Sequence, residues 1–144
     1  MSSSARPVLQ VLRQLVANRV AATGFESVLK QIRVVDGEEG RCVCELVVSP
    51  ELSNPRGSLH GGVAATLVDA VSTWAVMTTG ERKPGVSVDL SVSFLKAAPT
   101  GEPILIDART LRVGKTLAFL TVDILKKDCG TLLAQGKHTK FMGV

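Results

Sequence analysis

One segment, residues 60–79, limits the possible folds of this chain more than any other. It reads H-G-G-V-A-A-T-L-V-D-A-V-S-T-W-A-V-M-T-T, and a helix made from it would be apolar on nearly every side. A surface helix has one apolar stripe, whereas a helix that is apolar all round is buried inside something larger. Gly80 and Pro84 would end this helix. The sequence therefore predicts a long central helix that other elements surround.

The surrounding elements are predicted to be strands. Apolar and polar residues alternate without a break over residues 86–94, V-S-V-D-L-S-V-S-F, which is typical of a strand. On a regular strand one face would carry Val86, Val88, Leu90, Val92 and Phe94, and the other Ser87, Asp89, Ser91 and Ser93. The remaining predicted elements are a helix at 7–20 and strands at 29–35, 41–49, 103–112, 116–126 and 131–142.

The turn D-G-E-E-G at residues 36–40 would join the first two strands. The element order is then α-β-β-α-β-β-β-β. This order favours an α+β fold in which a curved antiparallel sheet wraps around the second helix.

The composition narrows the class of partner. A chain of 144 residues with 45% hydrophobic and 21% charged residues is typical of a single globular domain, residues 1–144. The net charge of +4 favours anionic partners weakly. Aromatic residues make up only 3%, there is no Tyr, and no nucleic-acid-binding motif occurs, so we exclude nucleic acid as a partner. A phosphorylated small molecule is the better anionic candidate.

The cysteines indicate a compartment. Cys42 and Cys44 would share one strand face, where a bridge between them is geometrically poor, and Cys129 makes the count odd. No metal-binding spacing is present, so we expect reduced thiols and no metal. We therefore expect an intracellular protein, cytoplasmic in the first instance.

The first 25 residues allow two interpretations. They contain Arg6, Arg13 and Arg19 but no acidic residue, a composition that also suits an organellar transit peptide. Apolar residues nevertheless recur on one helical face from Val8 to Val16, and we favour a structural helix. Mitochondrion, plastid and peroxisome stay open as locations, although no S-K-L tail is present. No membrane span is predicted. The helix at 60–79 is largely apolar, but it contains too many polar side chains to cross a bilayer comfortably.

Asp69 is the strongest candidate for chemistry. Between Ser58 and Gly80 the only ionisable side chains are His60 and Asp69. A carboxylate in apolar surroundings is costly unless it is partnered, so chains seldom keep one without a use. The alternative is that Asp69 bonds a neighbouring backbone group or faces water at a subunit interface. Nine residues at the rise of a helix separate His60 from Asp69 by about 14 Å, so a pair would need a second chain.

The H-G-G sequence at the helix start is a second candidate. The first amide N–H groups of a helix have no intrahelical partner and point outward with the positive end of the dipole. Gly61 and Gly62 would let a ligand approach them closely, as in an oxyanion or carbonyl site. The alternative is a helix start that simply needs small residues. Because no G-x-S-x-G motif occurs and His138 is interpreted as a strand residue, the chain favours attack on a carbonyl by a carboxylate or by carboxylate-activated water.

Four segments together resemble a known family. They are S-N-P-R-G-S-L-H-G-G-V-A-A-T-L-V-D, P-G-V-S-V-D-L-S-V-S-F, G-K-T-L-A-F and L-L-A-Q-G-K-H-T-K. The chain resembles the hotdog-fold acyl-CoA thioesterases along nearly its whole length. Within the PaaI-like set it is most similar to the small single-domain type, thioesterase superfamily member 2 or acyl-CoA thioesterase 13. The resemblance implies a hotdog fold, dimers with a continuous sheet, and homotetramers built as dimers of dimers.

The resemblance also implies residue roles in a site shared by two chains. Asn54 and the Gly61 N–H match positions that bind and polarise the thioester carbonyl, with His60 supporting that end. Asp69, from the opposite chain, matches the acid that activates water. Direct attack of this carboxylate on the thioester carbonyl is the less favoured alternative. Ser87 matches a residue that helps to hold that water. Coenzyme A is part of the substrate, and no cofactor is implied.

Further positions match the family's coenzyme A contacts. They are Gly85, Ser87, Asp89, Phe94, Leu95, Lys96, Ala97, Ala98, Pro99 and Arg112. Close relatives have an aromatic-Met-Ser-Pro-Ala-Lys order where this chain has F-L-K-A-A-P. The lysine therefore stands earlier here, and the phosphate contact of that segment stays open.

The implied activity is hydrolysis of acyl-CoA thioesters, with medium or long fatty acyl groups expected and aromatic acyl groups as the alternative. A non-catalytic acyl-CoA or lipid-binding module would use the same pocket without turnover. A hotdog dehydratase would need a histidine and an acid arranged across the pocket. The helical acid that follows H-G-G fits hydrolysis better.

Overall fold

The computed structural model describes residues 5–143, which form two helices and a six-stranded antiparallel sheet. The helices α1 and α2 are Ala5–Ala21 and Gly61–Val76. The strands β1 to β6 are Arg33–Glu38, Arg41–Val47, Val86–Phe94, Pro103–Val113, Leu117–Lys126 and Leu132–Phe141. Short 3-10 helices lie at Phe25–Leu29 and Pro50–Leu52. The sheet order is β1-β2-β4-β5-β6-β3, which confirms the predicted α+β architecture and leaves β1 and β3 at the edges.

The central helix α2 packs across the inner face of the sheet, as predicted. Residues 70–76 are fully buried, and Trp74 is completely inaccessible. The helix comes close to β6 because Gly136 stands at the crossing, where an added Cβ would lie 2.4 Å from Val68 Cγ1. The half of α2 that precedes residue 70 is only partly covered. The packing therefore fixes the helix while its first half stays accessible.

The N-terminal helix α1 is part of the packed core. Leu9, Leu12 and Val16 are buried on its inner face, which confirms the predicted structural helix. Close packing against β1 requires Gly37, because a Cβ there would lie 2.4 Å from Leu12 Cδ1. Neither described helix has the length and hydropathy that a membrane crossing demands.

The first predicted strand, 29–35, is wrong in position. Leu29 ends a 3-10 helix, and the Ile32 N–H donates to the Leu29 carbonyl at 2.9 Å, so this stretch is a turn. The strand β1 is Arg33–Glu38 instead, and the predicted turn residues Asp36 and Gly37 lie inside it. Gly37 serves the close approach of α1, and the Asp36 carboxylate accepts a hydrogen bond from the Gly37 N–H at 2.8 Å. A sequence pattern alone cannot separate that use of Asp-Gly from a turn.

The predicted faces of β3 also need correction. A β-bulge lies between Ser87 and Asp89, so Ser87 is opposite Lys140 of β6 while Leu90 is opposite His138. An extra residue in a strand reverses the alternation of side chains. Ser87 therefore shares the inner face with Leu90, not the outer face with Asp89.

Helix α2 is shorter at both ends than the predicted helix at 60–79. His60 is the N-cap, and Met77 is the C-cap. The hydroxyls of Thr78 and Thr79 donate to the carbonyls of Ala75 (2.7 Å) and Val76 (2.6 Å). These bonds satisfy carbonyls that a longer helix would have used, so the helix stops at Val76.

The cysteines are free thiols, as predicted. Cys42 and Cys44 are buried on β2 with their Sγ atoms 3.7 Å apart. The hydrogen bond to Cys42 and the burial raise the pKa of Cys44 well above its ordinary value. Cys44 is therefore held as a neutral thiol in the core.

Candidate active site

The loop before α2 holds the side chain of Asn54 in a fixed orientation. Its Oδ1 accepts hydrogen bonds from the backbone N–H groups of Arg56 (3.0 Å) and Ser58 (3.2 Å). Its Nδ2 donates to Ser58 Oγ at 3.0 Å. A side-chain amide has two N–H donors, so one of them remains for a ligand.

The start of α2 provides a second donor. His60 caps the helix, and its Nδ1 accepts a hydrogen bond from the Gly62 N–H at 2.8 Å. For the Gly61 N–H the described residues provide no acceptor. This N–H stands at the positive end of the helix dipole, which makes it a donor for a carbonyl oxygen. The cap therefore uses the second glycine amide and leaves the first one available.

Both donors border a cavity of about 760 Å³. Its inner wall is apolar and is made by Ala64, Ile124, Leu133 and Ala134. Arg56 and Lys96 also line it. All of the predicted segment from Phe94 to Pro99 lies on its wall, so the structure brings Asn54, Gly61 and this segment together. A cavity of this size with an apolar wall and a few convergent polar groups is typical of a small-molecule site.

A second polar cluster lies further along α2. His138 of β6 is buried between two hydroxyls, with its Nδ1 2.8 Å from Ser72 Oγ and its Nε2 2.7 Å from Ser87 Oγ. The same Nε2 is 3.9 Å from Asp69 Oδ1. The Asp69 side chain is 52% exposed, so its carboxylate borders solvent and is not enclosed by apolar groups. The bulge in β3 is what brings Ser87 into this cluster.

The hydrogen bonds in this cluster have a definite direction. Ser72 Oγ is 2.6 Å from the Val68 carbonyl, so its single hydrogen is donated there. Ser72 must then accept a hydrogen from His138 Nδ1. The unprotonated Nε2 in turn accepts the hydrogen of Ser87. The Ser87 oxygen is left with lone pairs that can accept a hydrogen bond from a ligand.

Electrostatics keep His138 neutral. Burial, followed by the charge of Lys140, lowers the pKa of His138 to about 4, against the opposing effects of Asp69 and Asp89. An imidazole with this pKa is uncharged near neutral pH. His138 is therefore a neutral hydrogen-bond partner of Ser87 near neutral pH.

The two groups of residues do not meet within one chain. Gly61 and Asp69 are about 12 Å apart along the helix axis at the usual rise per residue. The cavity at Asn54 and Gly61 is not lined by Asp69 or Ser87.

Three other predicted residues lie outside both groups. Gly85 has a φ of +65°, and a Cβ there would lie 2.6 Å from Met142 Sδ. Asp89 is opposite Thr139 on the outer face of the sheet. Arg112 is exposed on β4 beside a bulge. The structure thus gives Gly85 a packing function and places the other two at the surface.

Comparison with known proteins identifies the family. The sequence model of the thioesterase superfamily matches residues 56–133, more than half of the chain. The chain belongs to the thioesterase superfamily.

Similar proteins support this assignment over more than nine-tenths of the chain. Acyl-coenzyme A thioesterase 13 of Homo sapiens is 46% identical over 134 residues, which are 93% of this chain and 96% of that protein. The crystal structure of zebrafish thioesterase superfamily member 2 has a TM-score of 0.92 and 44% identity, and covers 94% of this chain and 98% of that one. A Streptococcus mutans protein bound to acetyl CoA has a TM-score of 0.72 and 27% identity over 76% of this chain and 86% of its own. The predicted hotdog fold and thioesterase class are confirmed.

The sequence interpretation missed His138 and Ser72 in this thioesterase. The sequence predicts an ordinary strand residue at His138, because a single histidine in a strand gives no periodic signal. One signal is present in H-T-K, where His138 and Lys140 fall on the same face of β6, the buried one. Two basic residues on an inner face need partners, and this rule would have pointed to the cluster.

Proposed function

We propose that this thioesterase hydrolyses acyl-CoA to a free acid and CoA, with medium-chain and long-chain fatty acyl groups as its substrates. The main support is the pair of available donors, Gly61 N–H and Asn54 Nδ2–H, beside a cavity with an apolar inner wall. The name of the human relative and the acetyl CoA bound by the Streptococcus mutans protein point to the same substrate class.

The proposed reaction begins with a water molecule held by Asp69 and Ser87. Ser87 donates its hydrogen to His138, so its lone pairs and the Asp69 carboxylate accept the two hydrogens of the water. The water oxygen is then directed at the thioester carbonyl carbon. As the C–O bond forms, one proton passes to Asp69, and the negative charge on the carbonyl oxygen is stabilised by Gly61 and Asn54. The tetrahedral intermediate then breaks its C–S bond, and the proton held by Asp69 ends on the sulfur of CoA.

The proposed site is built between two chains, because one chain holds its two parts too far apart. The edge strand β3 is the proposed contact. Apolar side chains are exposed along it at Val86, Val88, Leu90 and Phe94. An edge strand with exposed apolar groups and unpaired backbone groups is a ready template for pairing with another copy. Pairing across β3 would give a homodimer with a continuous sheet, and two such dimers would form the proposed homotetramer.

The fatty substrate class is supported by the cavity wall. Each methylene that is transferred from water to an apolar wall contributes about 0.8 kcal/mol, which is about fourfold in kcat/KM. We expect kcat/KM to rise by about this factor per methylene until the cavity is filled. The measurement is thiol release from straight-chain acyl-CoA substrates of increasing length, with benzoyl-CoA and phenylacetyl-CoA beside them. If kcat/KM is highest on the aromatic substrates, the proposed substrate class changes from fatty acyl-CoA to aromatic acyl-CoA.

The catalytic assignment is tested by Asp69→Asn, which keeps the size of the side chain but removes the base. We expect kcat to fall by about 10²-fold or more, because general base catalysis contributes about 10²–10⁴. Half-buried Asp123 of β5 offers a matched control, since Asp123→Asn changes a carboxylate on the outer face of the sheet, away from the cluster. If Asp69→Asn hydrolyses every acyl-CoA as fast as the wild type, this mechanism is wrong. Tight binding of acyl-CoA by the wild type without turnover would instead support the alternative, a binding module.

The shared site has a test of its own. Asn54→Ala and Asp69→Asn should each be nearly inactive alone. After mixed refolding, half of the dimers contain one chain of each kind, and each mixed dimer has one intact site. About a quarter of the wild-type activity should therefore return, as for a two-fold symmetric dimer. An active monomer, or no recovery in verified mixed dimers, would contradict the shared site.

A further inference from the structure

Lys140 of β6 is a buried lysine that the mechanism above does not use. Only 4% of the residue is exposed. Its Nζ donates to Thr73 Oγ1 at 2.7 Å, and Thr73 Oγ1 donates to the backbone carbonyl of Asp69 at 2.8 Å. No carboxylate of the described residues lies within 4.0 Å of this nitrogen. A buried ammonium without a direct counter-ion is expensive, so its retention calls for a physical reason.

The position of Lys140 connects it to the water-binding part of the site. It lies directly opposite Ser87 in the pairing of β3 with β6. Two residues away on the same strand face is His138, which holds Ser87 through a hydrogen bond of 2.7 Å. The aliphatic part of Lys140 passes Gly85, where an added Cβ would lie 3.4 Å from Lys140 Cε. The ammonium is thus buried beside Ser87, His138 and the turn of α2 that begins at Asp69.

Several charged groups from four other elements act on this cluster. Burial lowers the pKa of Lys140 below its ordinary value; Asp69 of α2 opposes this effect, Arg19 of α1 adds to it, and Glu26 of the first 3-10 helix opposes it. In turn, the positive charge of Lys140 lowers the pKa of His138, and Asp89 of β3 raises it. Lys140 is therefore attracted to Asp69 and opposes a positive charge on His138.

We propose that Lys140 is a positioning residue, whose buried positive charge beside Ser87 opposes a second proton on His138, so that Ser87, like Asp69, accepts a hydrogen from the water. The inference rests on the proposed hydrolysis. If His138 took up a second proton, its Nε2 would donate to Ser87, and Ser87 would turn its own hydrogen towards the water. The water would then face one acceptor and one donor, and its lone pair would no longer be directed at the carbonyl. A positive charge behind the cluster prevents this state without touching the substrate.

Two substitutions separate the charge of Lys140 from its hydrogen bond. Lys140→Gln keeps an N–H donor for Thr73 but has no charge, and Lys140→Met removes both. We expect the acid limb of the kcat/KM profile to move to higher pH by about one unit in both variants, since His138 takes up its second proton more easily once the nearby positive charge is gone. Lys137→Gln is the matched control, because Lys137 is exposed on the opposite face of the same strand, and its profile should match the wild type.

A second readout needs no substrate. The imidazole resonance of His138 should titrate about one pH unit higher in Lys140→Gln than in the wild type, because the repelling charge is gone. If the proposed hydrolysis fails but this shift occurs, the electrostatic assignment of Lys140 stands without a catalytic use. If Lys140→Gln behaves like the wild type in both readouts while Lys140→Met does not, Lys140 acts through its hydrogen bond and the proposal is overturned. Unchanged titration in both variants overturns it as well.

If neither Lys140 variant folds, the reciprocal measurement remains. The ¹⁵Nζ resonance of Lys140 should titrate at lower pH in Asp69→Asn than in the wild type, because the Asp69 carboxylate raises the pKa of Lys140. An unchanged Lys140 titration in Asp69→Asn would also reject the proposal.

Discussion

Mild acid should destabilise this thioesterase through His138. The pKa of His138 is about 4 in the folded chain and 6.5 when unperturbed, so below pH 6.5 the unfolded chain binds the extra proton first. The stability that this group contributes is therefore present above pH 6.5 and is lost as the pH falls towards 4. The difference between the two pKa values corresponds to about 3 kcal/mol when the loss is complete, and to about 2 kcal/mol near pH 5.

The assay is urea unfolding of the wild type and of His138→Gln at a series of pH values from about 7.5 to 5. The free energy of unfolding should fall by about 2 kcal/mol more for the wild type than for the variant over this range. The chain has two histidines, so NMR can follow each imidazole directly. Parallel loss of stability in wild type and His138→Gln, or a His138 resonance that titrates near 6.5, would refute the reasoning.

Three further predictions concern packing and the helix start. Gly136→Ala should lower the free energy of unfolding by about 1–3 kcal/mol through its collision with Val68, and Val68→Ala in the same chain should recover part of this loss in urea unfolding. His60→Ala should cost about 1 kcal/mol of stability, because the Gly62 N–H loses its acceptor, and full stability in this variant would argue against the cap. Leu12→Ala should cost about 2–5 kcal/mol, since Leu12 is fully buried; a loss below about 0.5 kcal/mol in thermal or urea unfolding would show that α1 is dispensable to the core.

The fold could be predicted from the sequence because its main signals are local and agree with one another. The apolar helix and the alternating strands each specify one type of element, and their order leaves few architectures. The first strand was misplaced because Asp36-Gly37 has the composition of a turn. Its glycine is required by the contact with Leu12, a residue 25 positions earlier, which no local pattern reveals.

The candidate site could be predicted only in part. Asn54, Gly61 and the segment 94–99 were found together because they carry the family's motifs, and they do line one cavity. Asp69 was expected in apolar surroundings, but it stands at the accessible half of α2 with more than half of its side chain exposed, 52%. The placement of Ser87 beside His138 depends on a bulge, and a bulge depends on the register with β6. Register is a long-range property, so alternation alone gave the wrong face.

The bulge in β3 also has a consequence for changes in chain length. Val88 is the additional residue, and without it the ladder from Val86 to Phe94 would be regular. Deleting Val88 would therefore leave Ser87 opposite Lys140 and on the inner face with Leu90, whereas regular pairing of the strand with Val88 retained would turn Ser87 away from His138. The bulge is thus as much a part of the site as the identity of Ser87. Any graft of this strand into another protein must transfer the β-bulge together with the side chains.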